Sequence, residues 1–402
     1  MAPRTNPPKG LTIRTAEDAD WPAMALLAAT CFGAWRPNET DRAWRTMMSA
    51  ESAVVACDGA DLVGVALYLD LKLTVPGGAA LPMAGVSWVV VSPTHRRRGV
   101  LTGMFTELHG RMDGYPIAGL EASEAGIYGR FGYGPATVWH EFSIDRREAR
   151  FHDDVPDPGG VRVVRPLEHR EELEEIYERW RVQTPGGLYS PRELWDEVFA
   201  DREEVRWGGS ALFCLLHPDG FAMYRVHGDD KDRIEISKLA AATPEAHIAL
   251  WRVLLGMDLY KQVKTWTHPH DVLPYLLTDA RLVRTTLVED ALWLRMLDVP
   301  AVLEARTYAS DLSVVLDISD DVLGGGGRYA LDVSGGTAKC VPTDAAADAQ
   351  TDLSVLGSLY MGGYRASAFA TANRLRCNDS GLIAALDAAF ATDIPAELGY
   401  GF

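Results

Sequence analysis

Three consecutive arginines followed by a glycine form the segment of this sequence that is best suited to bind an anion. Arg96–Arg98 and Gly99 come shortly after an apolar stretch, Val86–Val91. A helix that begins at Gly99 would present unpaired backbone N–H groups, and the arginines would add charge-assisted hydrogen bonds to the same anion. The pattern therefore predicts a phosphate-binding turn, and the alternative is a solvated basic loop. No Gly-Lys-Ser/Thr follows, so the segment is not a P-loop.

The last residues of the chain are unusually apolar for a terminus. Chain ends are usually polar and frayed, whereas here Leu398, Tyr400 and Phe402 alternate with glycines. This pattern predicts a tail that docks into a cleft. The alternative is a terminus that is packed for stability alone.

Other residue patterns that could do chemistry are incomplete. His268 and His270 flank a proline and precede Asp271, but no Cys or Glu completes a zinc pattern. No serine has the Gly-x-Ser-x-Gly context of a hydrolase. The five cysteines form no CxxC pair, which favours reduced thiols in a cytoplasmic protein. The sequence therefore predicts no metal and no covalent nucleophile.

The elements that must position the arginine turn are a strand before it and a helix after it. Val86–Val91 predicts a buried central strand, and the apolar spacing from Leu101 to Met112 predicts an amphipathic helix. Asp58-Gly59 predicts a hairpin turn between two β-rich runs. The surrounding strands and helices are expected at Leu11–Arg14, Trp21–Phe32, Thr40–Met48, Ala53–Cys57, Leu62–Leu73 and Ile117–Leu120.

Two further units follow the first one along the chain. A polar segment rich in Pro and Gly, residues 152–160, predicts a linker. The second unit has a helix over residues 170–181, three strands within 212–239, and a helix that opens at Thr243. A third unit begins near Leu297. The mixture predicts an α/β (α+β) protein of more than one domain, as the length of 402 residues also requires.

The charge of the chain excludes some partners. It carries 39 Lys and Arg against 56 Asp and Glu, a formal charge of −17. Nucleic-acid binding needs a basic surface, so we expect no nucleic-acid partner and favour cationic small molecules. The longest apolar stretch contains Pro82 and is too short to cross a bilayer, and no signal peptide is evident. We therefore expect a soluble, cytoplasmic protein with no membrane span.

Three motifs make the chain similar to the Eis (enhanced intracellular survival) family within the GNAT superfamily of N-acetyltransferases. They are the Arg96-x-x-Gly99 loop, the Ile-Tyr-Gly-Arg-Phe motif around Tyr128, and the segment from Asp298 to Arg306. Leu101 departs from the small residue that usually ends the loop. The resemblance implies an N-terminal GNAT domain with the acetyl-CoA loop (1–150), a second GNAT-like domain without that loop (151–296) and a sterol-carrier-protein-like domain (297–402).

The resemblance implies an acetyl-CoA-dependent transfer to amines of cationic acceptors such as aminoglycosides. Tyr128 would be the general acid, because a phenol of reference pKa about 10 stays protonated near neutral pH; the alternative is an aromatic side chain packed in a Gly-rich turn. The α-carboxylate of Phe402 would be the general base, although a reference pKa of about 3.5 requires desolvation or a water relay. Lysine side chains or polyamines are alternative acceptors, and a non-catalytic protein that binds CoA or lipid is another alternative.

The resemblance also assigns binding roles. The pyrophosphate of acetyl-CoA would lie on a loop formed by Arg96, Arg97, Arg98, Gly99, Val100 and Leu101. Val89 and Val91 would offer backbone groups to the pantetheine arm, and both would also be core residues. Trp35 and Trp88 match aromatics that line the acceptor pocket, although either could equally be core. Family members assemble as hexamers, so a homohexamer is expected.

Overall fold

The computed structural model describes residues 10–33, 38–49, 51–228 and 232–402, apart from the side chains of 38–41. These residues form three β-sheets in two compact units. Unit 1 contains the chain up to Ala136, Ala291–Asp393 and Tyr400–Phe402, and unit 2 contains Thr137–Asp290 and Ile394–Gly399. The predicted α/β class is confirmed.

The elements follow one another along the chain without a fixed-period repeat. The first group is β1 Leu11–Thr15, α1 Trp21–Phe32, α2 Asn38–Arg45, β2 Ala53–Asp58, β3 Asp61–Thr74, β4 Ala80–Val91, α3 Val100–His109, β5 Ile117–Glu121, α4 Ala125–Tyr128 and β6 Gly134–Pro135. The second is β7 Val138–Asp145, β8 Arg162–Val164, α5 Arg170–Gln183, α6 Arg192–Ala200, β9 Phe213–His217, β10 Gly220–His227, β11 Arg233–Ala241, α7 Pro244–Leu255, β12 Gln262–Thr267, α8 Leu273–Leu276 and β13 Val283–Asp290. The third is β14 Leu292–Met296, α9 Val299–Ala305, β15 Leu312–Ser319, β16 Gly327–Ser334, β17 Thr337–Pro342, β18 Ala349–Asp352, α10 Leu353–Leu359, α11 Ala366–Thr371, β19 Arg376–Cys377 and α12 Ser380–Phe390.

The first sheet of unit 1 opens a cleft between two of its central strands. Its order is β1-β2-β3-β4-β5-β14-β6. β4 and β5 run parallel but pair only over Met83–Gly85 and Ile117–Gly119. Beyond these residues β4 continues to Val91 without β5 beside it, so the two strands diverge and leave a gap at their carboxyl ends.

A β-bulge reshapes β4 where it borders this gap. The register with β3 shifts between Val65 and Leu67, and the extra residue lies in β4 at Trp88–Val89. Trp88 has a φ of 50°, a left-handed conformation that is strained for a residue with a side chain. The predicted central strand is therefore confirmed but longer, and the bulge redirects the side chains that follow Ser87.

Helix α3 covers the first sheet as its apolar spacing predicts. Val100, Met104, Phe105 and Leu108 are all buried on one face of the helix and belong to the core of this sheet. Burial of such side chains stabilises the fold by roughly 1.5–3 kcal/mol each. The packing fixes the start of α3, and with it the arginine turn, against the end of β4.

The second part of unit 1 adds a five-stranded sheet of order β17-β16-β15-β18-β19. Helix α10 joins it to the first sheet, because α10 packs on β14 and β6. The approach is so close that a β-carbon at Gly134 would collide with the backbone oxygen of Ser354.

Unit 2 is built on a second seven-stranded sheet, of order β13-β7-β12-β11-β10-β9-β8. β11 and β12 run parallel and pair over Arg233–Ile236 and Gln262–Thr265, with α7 between them in sequence. Strand β7 pairs here although it precedes residue 150, and β14 pairs in the first sheet although it follows β13 in the chain. Within the described ranges, no helix is long and apolar enough to span a membrane.

Candidate active site

A cavity of about 710 Å³ fills the gap between the ends of β4 and β5 in unit 1. This volume lies in the range of small-molecule sites. Its walls come from the end of β4, the arginine turn, the start of α3 and the segment that carries α4. The lining residues named in the sequence analysis are Val89, Val91, Arg96, Arg97, Gly99, Val100, Leu101 and Tyr128.

The arginine turn is held in shape by its own backbone and by Asp58. Gly99 has a φ of 80°, a conformation that favours glycine, and it precedes the first residue of α3. His95 Nε2 lies 3.1 Å from Asp58 Oδ2, and Arg98 Nη1 lies 3.7 Å from the same oxygen. Arg98 thus points to Asp58. It is not one of the described residues that line the cavity. Arg96 and Arg97 are included, and neither has an ion pair within the described ranges.

Tyr128 ends the short helix α4 and is 5% exposed. Its ring centroid lies 6.0 Å from that of Phe105 on α3. Burial and the nearby charge of Glu124 raise the pKa of the Tyr128 phenol, and a hydrogen bond with Ser123 opposes them only in part. The hydroxyl therefore remains protonated at neutral pH at the edge of the cavity.

The chain terminus is attached to the end of β5. The backbone N–H of Phe402 donates a hydrogen bond of 2.8 Å to Oε2 of Glu121, the last residue of β5. Burial raises the pKa of the Glu121 carboxyl, and the Phe402 N–H partly offsets that effect. A β-carbon at Gly401 would lie 2.7 Å from the same Glu121 oxygen, so a side chain there would push the carboxylate out of this position.

Aromatic side chains surround the Phe402 ring in a small pocket. We call it the aromatic pocket, and it is lined by Trp21, Trp44, Arg45, Met48, Leu67, Leu69, Ser87, Trp88 and Phe402. The rings of Trp21 and Trp88 meet edge to face at 5.9 Å. Trp88, one of the two predicted acceptor-pocket aromatics, thus lies beside the terminus. Trp35, the other, falls outside the described residues.

Unit 2 repeats the strand-helix-strand order of β4, α3 and β5 with β11, α7 and β12. The turn between its strand and its helix is different. β11 ends at Ala241, and Thr243 and Pro244 lead into α7. The Thr243 side chain accepts the Ala246 N–H at 3.2 Å, and Pro244 has no N–H to donate. Two donors that a phosphate would need are thus absent from this turn, and no arginine replaces them in the segment 241–244.

Metal ligands are not grouped in the described part of the chain. No set of three or more His, Cys, Asp or Glu side chains there could hold a metal ion. Asp271 accepts hydrogen bonds from the Thr267 hydroxyl and the Leu273 N–H in the loop after β12, as a structural residue does.

Comparison with known families identifies the family of the chain. Residues 12–136 and 186–296 each match the model of an acetyltransferase (GNAT) domain, and residues 299–396 match a sterol carrier protein domain. The N-acetyltransferase Eis of Mycobacterium tuberculosis strain H37Ra is 53% identical over 98% of this chain and 100% of that protein. The chain belongs to the Eis family of N-acetyltransferases.

Other relatives agree with this assignment to the Eis family. An uncharacterized N-acetyltransferase of Streptomyces avermitilis is 33% identical over 97% of this chain and 99% of its own. The crystal structure of Eis1 from Mycobacterium abscessus has a TM-score of 0.86 at 31% identity, covering 98% of this chain and 100% of that one. A GCN5-related N-acetyltransferase from Anabaena variabilis shares the fold, with a TM-score of 0.83 at 18% identity over 96% and 99% of the two chains.

Membership in the Eis family confirms the predicted fold of two GNAT domains and a sterol-carrier-like domain, and the predicted N-acetyltransferase activity. It also implies acetyl-CoA as the donor. The first GNAT domain fits that donor, because its cavity combines an arginine turn with the uncapped N-terminus of α3.

Glu121, at the end of β5, contacts Phe402 in the structure of this Eis-family enzyme, and the sequence analysis assigns it no role. The predicted strand Ile117–Leu120 ends one residue before it. Its position at the end of a strand that borders the cleft was a usable signal, since functional residues gather at the carboxyl ends of such strands. Its contact with Phe402, 281 residues away, has no sequence signal.

Proposed function

We propose that this Eis-family enzyme acetylates amines of cationic acceptors such as aminoglycosides, with Tyr128 as the general acid and the Phe402 α-carboxylate as the general base. The observation that carries the proposal is that both residues lie in unit 1, Tyr128 in the cavity wall and Phe402 in the aromatic pocket with its N–H bound at the end of β5.

The donor end of the reaction rests on the arginine turn. When bound, acetyl-CoA supplies the thioester whose acetyl group is transferred. Arg96 and Arg97 would bind its phosphates together with the N–H groups at the start of α3. The backbone of Val89 and Val91, freed from β5 by the divergence of the strands, would bind the pantetheine arm. Arg98, Gly99, Val100 and Leu101 complete the proposed loop.

The proton transfers follow from the protonation states of the acceptor amine and of the Tyr128 phenol. An acceptor amine is an ammonium near pH 7, so the Phe402 carboxylate takes its proton before the nitrogen can attack. The Tyr128 hydroxyl donates a proton to the departing sulfur, and its raised pKa keeps it in the protonated form that this role needs. We propose direct transfer, with no covalent intermediate on the enzyme.

The acceptor is assigned by charge and by family. A formal charge of −17 favours polycationic amines over anionic acceptors. Trp88 and Trp35 are proposed to contact the acceptor, because aromatic faces attract ammonium groups. Protein lysines and polyamines share the same chemistry and are the alternative acceptors.

The decisive experiment extends the chain. Two residues appended after Phe402 move the α-carboxylate out of place and leave every side chain intact. We expect thiol release from acetyl-CoA with kanamycin to fall by at least about 100-fold, the usual contribution of a general base, while CoA still binds. Unchanged turnover would exclude the terminal carboxylate as the base. CoA binding without turnover of kanamycin, spermidine or a lysine peptide by the natural chain would favour a non-catalytic binding protein.

Three further assignments rest on the family resemblance and, for the location and the first boundary, also on the cysteines and the 152–160 segment. We propose a homohexamer, a cytoplasmic location and three domains with the bounds 1–150, 151–296 and 297–402. Light scattering of the purified protein tests the oligomer, because a mass of about six times 44.0 kDa is expected. Fractionation of the source cells tests the location, and limited proteolysis at residues 152–160 tests the first boundary.

A further inference from the structure

We propose that Glu121 is a positioning residue that fixes the terminal carboxylate of Phe402 and strengthens it as a base through its own negative charge. The inference rests on the proposed function, in which that carboxylate removes the acceptor's proton. The inference links a side chain of β5 to the terminal carboxylate, which lies 281 residues further along the chain.

The first step is that two of the substituents on the Phe402 α-carbon are held. Its amide nitrogen donates to Glu121 Oε2 at 2.8 Å. Its ring lies against Gly85 of β4, where a β-carbon would come within 3.0 Å of Phe402 Cε2. The α-carbon is tetrahedral, so fixing the nitrogen and the side chain also fixes the direction of the carboxylate. Loss of Glu121 would remove the first of these two contacts and leave the ring contact with β4.

The residues before Phe402 are built for this contact. Gly401 packs so closely on the Glu121 carboxylate that any side chain would displace it, since a β-carbon would lie 2.7 Å from Oε2. The Tyr400 ring lies 6.3 Å from that of Trp44. The terminal three residues thus approach the end of β5 with an aromatic contact, a glycine and a hydrogen bond in succession.

The second step concerns charge. Within any residue the amide nitrogen and the carboxyl carbon lie about 2.5 Å apart. With the 2.8 Å hydrogen bond, Glu121 Oε2 therefore lies no more than about 5.3 Å from the Phe402 carboxyl carbon. Two carboxylates at this separation disfavour each other's ionisation and titrate as a pair. A neighbouring negative charge would make an α-carboxylate, ordinarily a weak base, hold a proton more readily.

Two substitutions separate position from charge. Glu121→Gln keeps an oxygen that accepts the Phe402 N–H but removes the charge, so the acid limb of kcat/KM should move to lower pH with kcat at its plateau largely kept. Glu121→Ala removes both, and kcat should fall on the order of 10- to 100-fold, the cost of a misplaced group. Gly401→Ala should also lower kcat, because its β-carbon displaces the Glu121 carboxylate but leaves its charge. The KM for acetyl-CoA should stay unchanged in all three. The control is Asp113→Asn, which removes an exposed carboxylate outside the site.

A readout independent of turnover tests the positioning directly. A released terminus is a better substrate for carboxypeptidase, so Phe402 should be removed faster from Glu121→Ala than from Glu121→Gln or Asp113→Asn, as followed by the mass of the chain. Thermal unfolding of each variant shows that it is folded. Normal kcat, pH profile and Phe402 release in Glu121→Ala would overturn the inference. If Glu121→Ala behaves normally but the chain extended beyond Phe402 is inactive in the same assays, this inference fails while the proposed base stands. If the extended chain is fully active, the base and this inference both fail.

Discussion

Arg295 on β14 donates a hydrogen bond of 2.6 Å to Asp320 just after β15, and the two side chains are only 4% and 1% exposed. The other terminal nitrogen of Arg295 donates to the backbone oxygen of Phe131 at 2.7 Å. Phe131 lies three residues after Tyr128. The ion pair therefore ties the sterol-carrier-like sheet, the first GNAT sheet and the turn that carries the proposed acid to one another within unit 1.

We expect Asp320→Asn to lower the free energy of unfolding by about 3–5 kcal/mol, because it leaves the Arg295 charge buried without a partner. Chemical denaturation with urea measures the loss. The matched control is Asp317→Asn, whose pair with Arg328 spans 3.4 Å between side chains that are each 37% exposed. That pair should contribute no more than about 1 kcal/mol. Equal, small losses in the two variants would contradict a structural role for the buried pair.

The same pair should govern part of the acid sensitivity of the fold. Burial by itself would raise the pKa of Asp320. The hydrogen bond and charge of Arg295, together with hydrogen bonds from the Gly325 and Leu323 N–H groups, outweigh burial, and the pKa lies below its usual value of 3.8. A depressed pKa contributes stability above the unfolded value, and that stability is lost as the pH falls through the folded value. We expect the free energy of unfolding to decrease below about pH 4, and less steeply in Asp320→Asn. An identical slope in the variant would contradict this.

Local patterns predicted the parts of the site that lie close together in sequence. The β4 strand, the arginine turn and α3 span about 30 consecutive residues, and their order follows from hydrophobic spacing and the position of Gly99. The bulge at Trp88 was not predicted, because a register shift depends on the partner strand and leaves no mark in the periodicity of β4.

Non-local pairing set the limit of the sequence analysis. Strand β7 pairs with β12 and β13, and β14 pairs with β5 and β6, over separations of more than 100 residues. Nothing in an alternating strand specifies which of several sheets it joins. The contact between Glu121 and Phe402 is of the same kind. The apolar tail indicated that the terminus docks, but its partner depends on the whole fold of unit 1.

The geometry of the arginine turn predicts that its three arginines are not equivalent. Arg96→Ala and Arg97→Ala should each raise the KM for acetyl-CoA about 10- to 150-fold, since a lost charge-assisted hydrogen bond costs roughly 1.5–3 kcal/mol. The salt dependence of that KM should weaken. Arg98→Ala is the matched control. Its side chain lies 3.7 Å from Asp58, with both about 45% exposed, so its effect should be much smaller. A larger effect from Arg98→Ala would show that this side chain turns to the phosphates when the donor binds.

Tyr128→Phe should lower kcat by about 100- to 10,000-fold, because it removes a proton donor and little else. The ring and its contact with Phe105 remain, so acetyl-CoA binding should be kept. The matched control is Tyr133→Phe, since Tyr133 is fully buried and its hydroxyl bonds His109 Nε2 at 2.9 Å, away from the cavity lining. That variant should lose stability but not turnover. Burial and the charge of Glu124 raise the pKa of the Tyr128 phenol, so in the natural enzyme this phenol should lose its proton only above pH 10. Below pH 10 we therefore expect no alkaline decline in kcat from this group. A Tyr128→Phe enzyme with near-normal kcat would exclude the phenol as the acid and shift attention to water in the cavity.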